Sequence, residues 1–291
     1  MRGRTVPAMQ ASAKANLHAL GAIALWAALA SLGVTLRHVP PFLLTGIALV
    51  IGSMPAWPLV ARNPRLWAIA PSTLALGIYG LFGYHFLLFI ALRVAPAVEA
   101  NLVNYLWPLF IVVLAPLFLR GLTLRPAHVL AALVAFAGAA IAILGAQDGA
   151  AAGGWSWGYL LALGAAFIWA SYSLLTQRVA AFPTAAIGLF GLVSGLLSLL
   201  CHVLLEPAAT LSARDWLLLA VMGLGPLGAA FFLWDRALKL GDARQIGILS
   251  YITPLASTAL LLVVSGRAFS WSIGLAAVMI IGAAVLGTRT R

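Results

Sequence analysis

Charge is what this chain has least of. Only 8% of its 291 residues are Asp, Glu, Lys or Arg, against about 25% in soluble domains. With 64% hydrophobic residues and a mean hydropathy of +1.08, such a body in water would expose large apolar patches and aggregate. Lipid is therefore the solvent over most of its surface. A single cysteine, Cys201, excludes an intramolecular disulfide. The acids number six, which leaves little material for a catalytic carboxylate pair. The lysines, Lys14 and Lys239, lie near the edges of apolar runs, where a retinal-type chromophore would find no buried amine. No GxxxxGK[ST] or H-E-x-x-H motif occurs. His18, His38, His85, His128 and His202 are scattered without metal-ligand spacing. Neither a metal nor a cofactor is expected. An ATP-driven motor, a membrane-embedded hydrolase and a channel with a charged filter all lack their sequence.

What fills the chain instead is a series of apolar runs of about 20 residues, the length one helix needs to cross a bilayer core. They are read at 15–34, 41–60, 67–91, 96–119 and 126–145, then 155–177, 183–204, 213–236, 242–264 and 270–287. Arg, Pro, Gly and Asp punctuate them, as in Arg62-Asn63-Pro64-Arg65 and Arg120-Gly121. Continuous rather than alternating apolarity excludes a β-barrel. The first run follows Arg2, Arg4 and Lys14 and resembles a signal peptide, but its counterpart later in the chain argues for a helix that stays.

The net charge of +11 would point to nucleic acid in a soluble protein. Here its placement matters more, and no nucleic-acid partner is expected. With the N-terminus inside, Arg2, Arg4, Lys14, Arg62, Arg65, Arg120, Arg125, Arg178, Arg236, Lys239, Arg244, Arg289 and Arg291 fall on the cytoplasmic side. Arg37, Arg93, Arg214 and Arg267 fall opposite. That bias obeys the positive-inside rule, with both termini cytoplasmic and an even number of spans.

The chain repeats itself. Residues 91–109, ALRVAPAVEANLVNYLWPL, lie over 237–255, ALKLGDARQIGILSYITPL, at a constant offset of 146. Trp26 in ALWA matches Trp169 in FIWA. Two halves, 1–148 and 149–291, hold five helices each. An odd number turns the second half upside down, the pattern of secondary transporters. These blocks resemble the EamA-type exporters of the drug/metabolite transporter superfamily, and among them the bacterial aromatic amino acid exporter branch, over essentially the whole chain. The resemblance implies an all-α inner-membrane protein of ten transmembrane helices. Two inverted repeats would surround a central cavity and export amino acids, aromatic ones above all, by alternating access. A drug or other metabolite exporter of the same fold is the alternative within the class, and a membrane-embedded enzyme the alternative outside it. A monomer surrounded by lipid is expected.

Asn101, Asn104, Tyr105 and Pro108 share one helix face at i, i+3, i+4 and i+7, and Gly247, Ser250, Tyr251 and Pro254 repeat the stripe. Their amides and hydroxyls would lack partners in lipid, so they are expected to line a cavity. Pro108 and Pro254 each remove a backbone hydrogen bond and are expected hinges. Trp169, Tyr172 and Ser173 form another stripe, with Thr176 beyond them, and Trp26 is the first-half counterpart of Trp169. Gly77, Gly80 and Tyr84 form a third, beside Gly83 and His85, with Gly80 and Gly83 as points of close approach or bending. Trp26, Trp107, Trp169 and Trp234 are interior candidates. Trp57, Trp67, Trp155, Trp157, Trp216 and Trp271 suit the interfacial belt. The expected substrate-facing set is therefore Trp26, Tyr84, His85, Asn101, Asn104, Tyr105, Trp107, Trp169, Tyr172, Ser173, Ser250 and Tyr251. Its rings would stack on a flat side chain and hold an ammonium by cation–π attraction.

Overall fold

The computed structural model describes residues 5–144, 155–265 and 271–289. All regular structure among them is helical. The expected division at 148/149 lies outside the described residues.

Among the described residues, eight helical spans are long and apolar enough to cross a membrane. They are α1 (Gln10–Thr35), α2 (Pro41–Arg62), α3 (Pro71–Val94), α4 (Ala97–Phe118), α5 (Pro126–Leu144), α6 (Gly158–Leu175), α7 (Ala186–Leu205) and α8 (Ala213–Leu240). The ninth expected run is split into α9a (Ala243–Leu249) and α9b (Ile252–Ser265), and α10 (Trp271–Arg289) contains the shorter apolar stretch Trp271–Leu286. The starts are written in the sequence. Pro41, Pro71 and Pro126 each occupy a first helical position, where the missing N–H costs nothing. Ser212 and Asp215 form a reciprocal capping box on α8, and Asp242 caps α9a.

The packing obeys the repeat. α1 lies against the Ala230–Leu240 end of α8 and against α9b, while α6 lies against the Tyr84–Val94 end of α3 and against α4. α2 packs on α7, α4 on α9a and α5 on α10. Exchanging first-half helices with their second-half counterparts maps the α1 pairs onto the α6 pairs and the α2–α7 and α5–α10 pairs onto themselves. Local irregularities repeat as well. A π-helical turn at Tyr79–Gly83 in α3 recurs at Gly225–Ala229 in α8, 146 residues on. The α3–α4 connection after Val94 recurs after Leu240, and the interruption of α4 at Tyr105–Leu106 recurs at Ser250–Tyr251.

The helix interruptions stand just before the prolines expected as hinges. Pro108 and Pro254 fall in the first turn after each interruption rather than in mid-helix. The break precedes the proline because proline has no N–H to donate to the carbonyl of residue i−4 and its ring clashes with that carbonyl. That leaves the carbonyls of Asn104 and Ser250 without their regular i+4 donors. Gly80 and Gly83 both lie in the first π turn.

Close approach of α2 to α8 depends on glycine. A Cβ on Gly52 would lie 2.5 Å from the Leu227 carbonyl oxygen, 2.7 Å from that of Gly223 and 2.9 Å from Gly228 Cα. All three are backbone atoms, so no rotamer change relieves the clash. Gly52→Ala is expected to destabilise the fold by about 1–3 kcal/mol. Gly33→Ala, whose added methyl meets nothing within 4 Å, should leave stability unchanged or raise it slightly. Thermal unfolding of both variants in detergent checks the pair; equal midpoints would dismiss the close contact.

Candidate functional site

Four tryptophans meet where the halves join. Trp26 comes from α1, Trp107 from α4, Trp169 from α6 and Trp234 from α8, and none exposes more than 8% of its surface. Trp26 lies 5.3 Å from Trp234, 5.8 Å from Trp169 and 6.4 Å from Trp107, centroid to centroid. Trp107 meets Trp234 edge-on at 5.6 Å, and Trp169 stacks on Trp234 at 6.3 Å. These separations suit the ring quadrupoles. Phe231, Tyr84 and Tyr172 extend the cluster through Trp169, at 5.6, 5.4 and 5.4 Å. The watery hollow expected between the halves is not what occupies this point. Indoles packed on one another leave almost no surface for solvent.

The π turns anchor the cluster. The Trp26 indole N–H donates to the Pro226 carbonyl at 3.1 Å, inside the second-half π turn. In the first-half turn Gly80 receives the Tyr172 ring so closely that a Cβ would lie 2.3 Å from it. Tyr79 and Ser171 hydroxyls bond beside it at 2.8 Å. Each half thus holds an aromatic side chain of the other at an irregular turn, a common setting for functional sites. Gly83 differs, since an added Cβ would make only ordinary contact with Ile168. Its expected role in close approach is not supported.

Polar groups edge the rings. Trp234 donates to Ser173 Oγ at 3.1 Å. Asn104 Nδ2 donates to the Tyr84 hydroxyl at 3.1 Å, while Asn104 Oδ1, on a residue only 4% exposed, has no partner. A buried acceptor left open is costly and is available to a ligand donor. Tyr105 and Asn101 are half-buried on the same helix. His85 touches Tyr84, Phe89 and Phe231, and its Nδ1–H donates to the Leu81 carbonyl at 2.6 Å. A carbonyl only accepts, so in the neutral ring Nε2 is the open acceptor. Asp235, next to Trp234, turns away to Lys239 and Thr184, both at 2.7 Å.

Two expected members lie elsewhere. Tyr251 is fully buried in a separate cluster with Val112, Ala135 and Ile280 and meets Phe136 edge-on at 6.3 Å. Ser250, also fully buried, donates to the Ile246 carbonyl at 2.8 Å, within its own helix. Both are drawn off by the contact of α9 with α5 and α10, which periodicity does not reveal. Phe231 was missed, although it stands three residues before Trp234 on the same helix face. Of the belt tryptophans, Trp57, Trp155, Trp157, Trp216 and Trp271 are exposed, whereas Trp67 donates to the Ala185 carbonyl at 2.9 Å.

A cavity of ≈ 660 Å³ opens at one end of the bundle, lined by Leu119, Arg120, Leu122, Gln177, Arg178, Gly241, Asp242 and Ala243. Burial would raise the Asp242 carboxyl, but hydrogen bonds and charge from Arg244 outweigh it and hold the group below its ordinary value. Arg244 grips both carboxylate oxygens, at 2.6 to 3.2 Å.

Apolar spans paired in a two-fold pattern around an uncharged aromatic core define a multi-pass membrane protein built from two repeats. The chain belongs to the EamA-like transporter family, whose model matches residues 13–144 and 156–289. It is 41% identical to the aromatic amino acid exporter YddG of Ancylobacter novellus, over 94% of this chain and 96% of that one. It is 28% identical to the protein of that name from Salmonella typhimurium, over 96% and 99% of the two chains. A solved crystal structure, 41% identical, superposes with a TM-score of 0.89 over 96% of this chain and 97% of its own.

Proposed function

We propose that this protein exports amino acids, aromatic ones foremost, across the bacterial inner membrane by alternating access of two inverted five-helix halves. The observation that carries this reading is the shared aromatic core. Trp26 and Trp107 come from one half, Trp169 and Trp234 from the other. Parting the halves opens flat faces on which an aromatic side chain stacks. The open acceptor Asn104 Oδ1 and the ring faces then meet the ammonium. Repetition of the same contacts in both halves supplies two near-equivalent arrangements, one facing each side. The names of the relatives favour the same substrate class.

His85 serves its own helix, and the carboxylates of Asp235 and Glu206 are engaged in ion pairs. A carrier running down its substrate gradient fits these contacts. Purified protein in liposomes should show saturable counterflow of labelled phenylalanine or tryptophan, with and without a pH gradient. Asn104→Ala should raise KM roughly tenfold, the worth of one charged hydrogen bond. If no amino acid in a full panel shows counterflow, the reading is wrong. Conversion of the compound would point to an enzyme instead, and counterflow confined to other metabolites would point to the drug-exporter alternative.

A further inference from the structure

The cavity at the end of the bundle carries more positive charge than its own acids neutralise. Arg120 and Arg178 line it, both exposed, and neither has a carboxylate partner among the described residues. Its acid, Asp242, is already gripped by Arg244, which also donates to the Thr123 carbonyl at 2.7 Å. Two arginines therefore line one concave space of ≈ 660 Å³, within the roughly 300–1,000 Å³ of small-molecule sites. Gln177 adds a polar wall, and Leu119 and Leu122 an apolar one.

The helices that end here are those that carry the tryptophans. From Trp234 to Gly241 is seven residues, roughly 10 Å of helix, and from Trp169 to Gln177 eight, roughly 12 Å. The charge is also asymmetric between the halves. The positions matching Gln177 and Arg178 through the Trp26–Trp169 alignment are Val34 and Thr35, and that matching Asp242 is Pro96. A positive-inside bias places arginines on this face but does not require them to share a cavity.

Resting on the proposed transport of amino acids, we infer that Arg120 and Arg178 form a loading site. It captures the substrate's α-carboxylate on the face that the charge count assigns to the cytoplasm, before the side chain reaches the tryptophans. Paired guanidiniums hold carboxylates by charge-assisted, bidentate bonds. The site loads rather than retains, because a single amino acid cannot span both positions at once.

The test uses the full chain in phosphatidylethanolamine–phosphatidylglycerol vesicles, sorted by orientation, with phenylalanine and phenylalanine amide as probes. Arg120→Gln with Arg178→Gln should raise KM for phenylalanine about tenfold from the arginine-bearing face, with kcat changed less than twofold. KM from the opposite face, and KM for the amide, should stay within twofold. Lysine at both positions should recover part of the affinity. An unchanged KM in the double variant, or an equal rise for the amide, overturns the loading site. An effect that vanishes in vesicles without phosphatidylglycerol assigns the arginines to a lipid headgroup and also overturns it. Wild-type vesicles with no amino-acid flux defeat the transport reading and this site together. Wild-type flux with an arginine-independent KM defeats this site alone.

Discussion

Trp169→Ala should cut phenylalanine counterflow in proteoliposomes at least about tenfold, the effect expected when a central aromatic anchor is truncated. Trp169 touches more of the cluster than any other ring. It lies 5.4 Å from Tyr84 and Tyr172, 5.6 Å from Phe231, 5.8 Å from Trp26, and 6.4 and 6.3 Å from Trp107 and Trp234. Truncation also leaves a void in a packed core, worth about 3–5 kcal/mol of stability. Size-exclusion profiles and unfolding midpoints must therefore accompany the flux. Trp169→Phe keeps an aromatic face and should retain most of the transport while losing some stability. Wild-type flux from a folded Trp169→Ala protein would remove this ring from the substrate path.

The second large effect concerns stability. The Glu206 side chain is completely buried at the end of α7. It accepts the N–H groups of Phe42 and Leu43 at 3.0 and 3.2 Å, so it caps the N-terminus of α2. It also accepts His202 Nδ1 at 3.0 Å and pairs with Arg93, whose guanidinium lies over the Phe42 ring. One carboxylate thus ties α2, α3 and α7 together at a membrane face. Glu206→Ala strands two helix-end donors and one guanidinium. The expected loss is roughly 3 kcal/mol, the low end for breaking a buried pair, because Arg93 is 39% exposed and regains water. Arg93→Ala should cost less, since the helix cap and His202 remain. Thermal unfolding in detergent measures both; a Glu206→Ala midpoint equal to wild type would show that the cap carries no weight.

This contact also marks where sequence reading stops. Arg93 and Glu206 are legible as charges near the same membrane side, yet at a separation of 113 positions nothing in the sequence says that they pair. The Lys239 position shows the same limit. It matches Arg93 at the 146 offset, but its acid is Asp235, one turn earlier on the same helix, and its ring is Phe182. Equivalent cations found different partners because the repeat preserves helices and leaves side-chain neighbours free to diverge.

The span order, the repeat and the helix interruptions were readable because each is local. Twenty apolar residues must satisfy their own backbone in lipid, and a proline cannot donate wherever it stands. Trp26, Trp107 and Trp169 were legible as interior for the same reason, lying within apolar runs rather than at their ends. That they converge with Trp234, while Tyr251 from an apparently matching stripe goes to a different cluster, follows from which helices cross. Helical periodicity names a face but not the neighbour it meets. Tertiary packing alone decided that the centre would be filled by rings, that the open volume would lie beside Arg120 and Arg178, and that Asn104 would keep one oxygen without a donor.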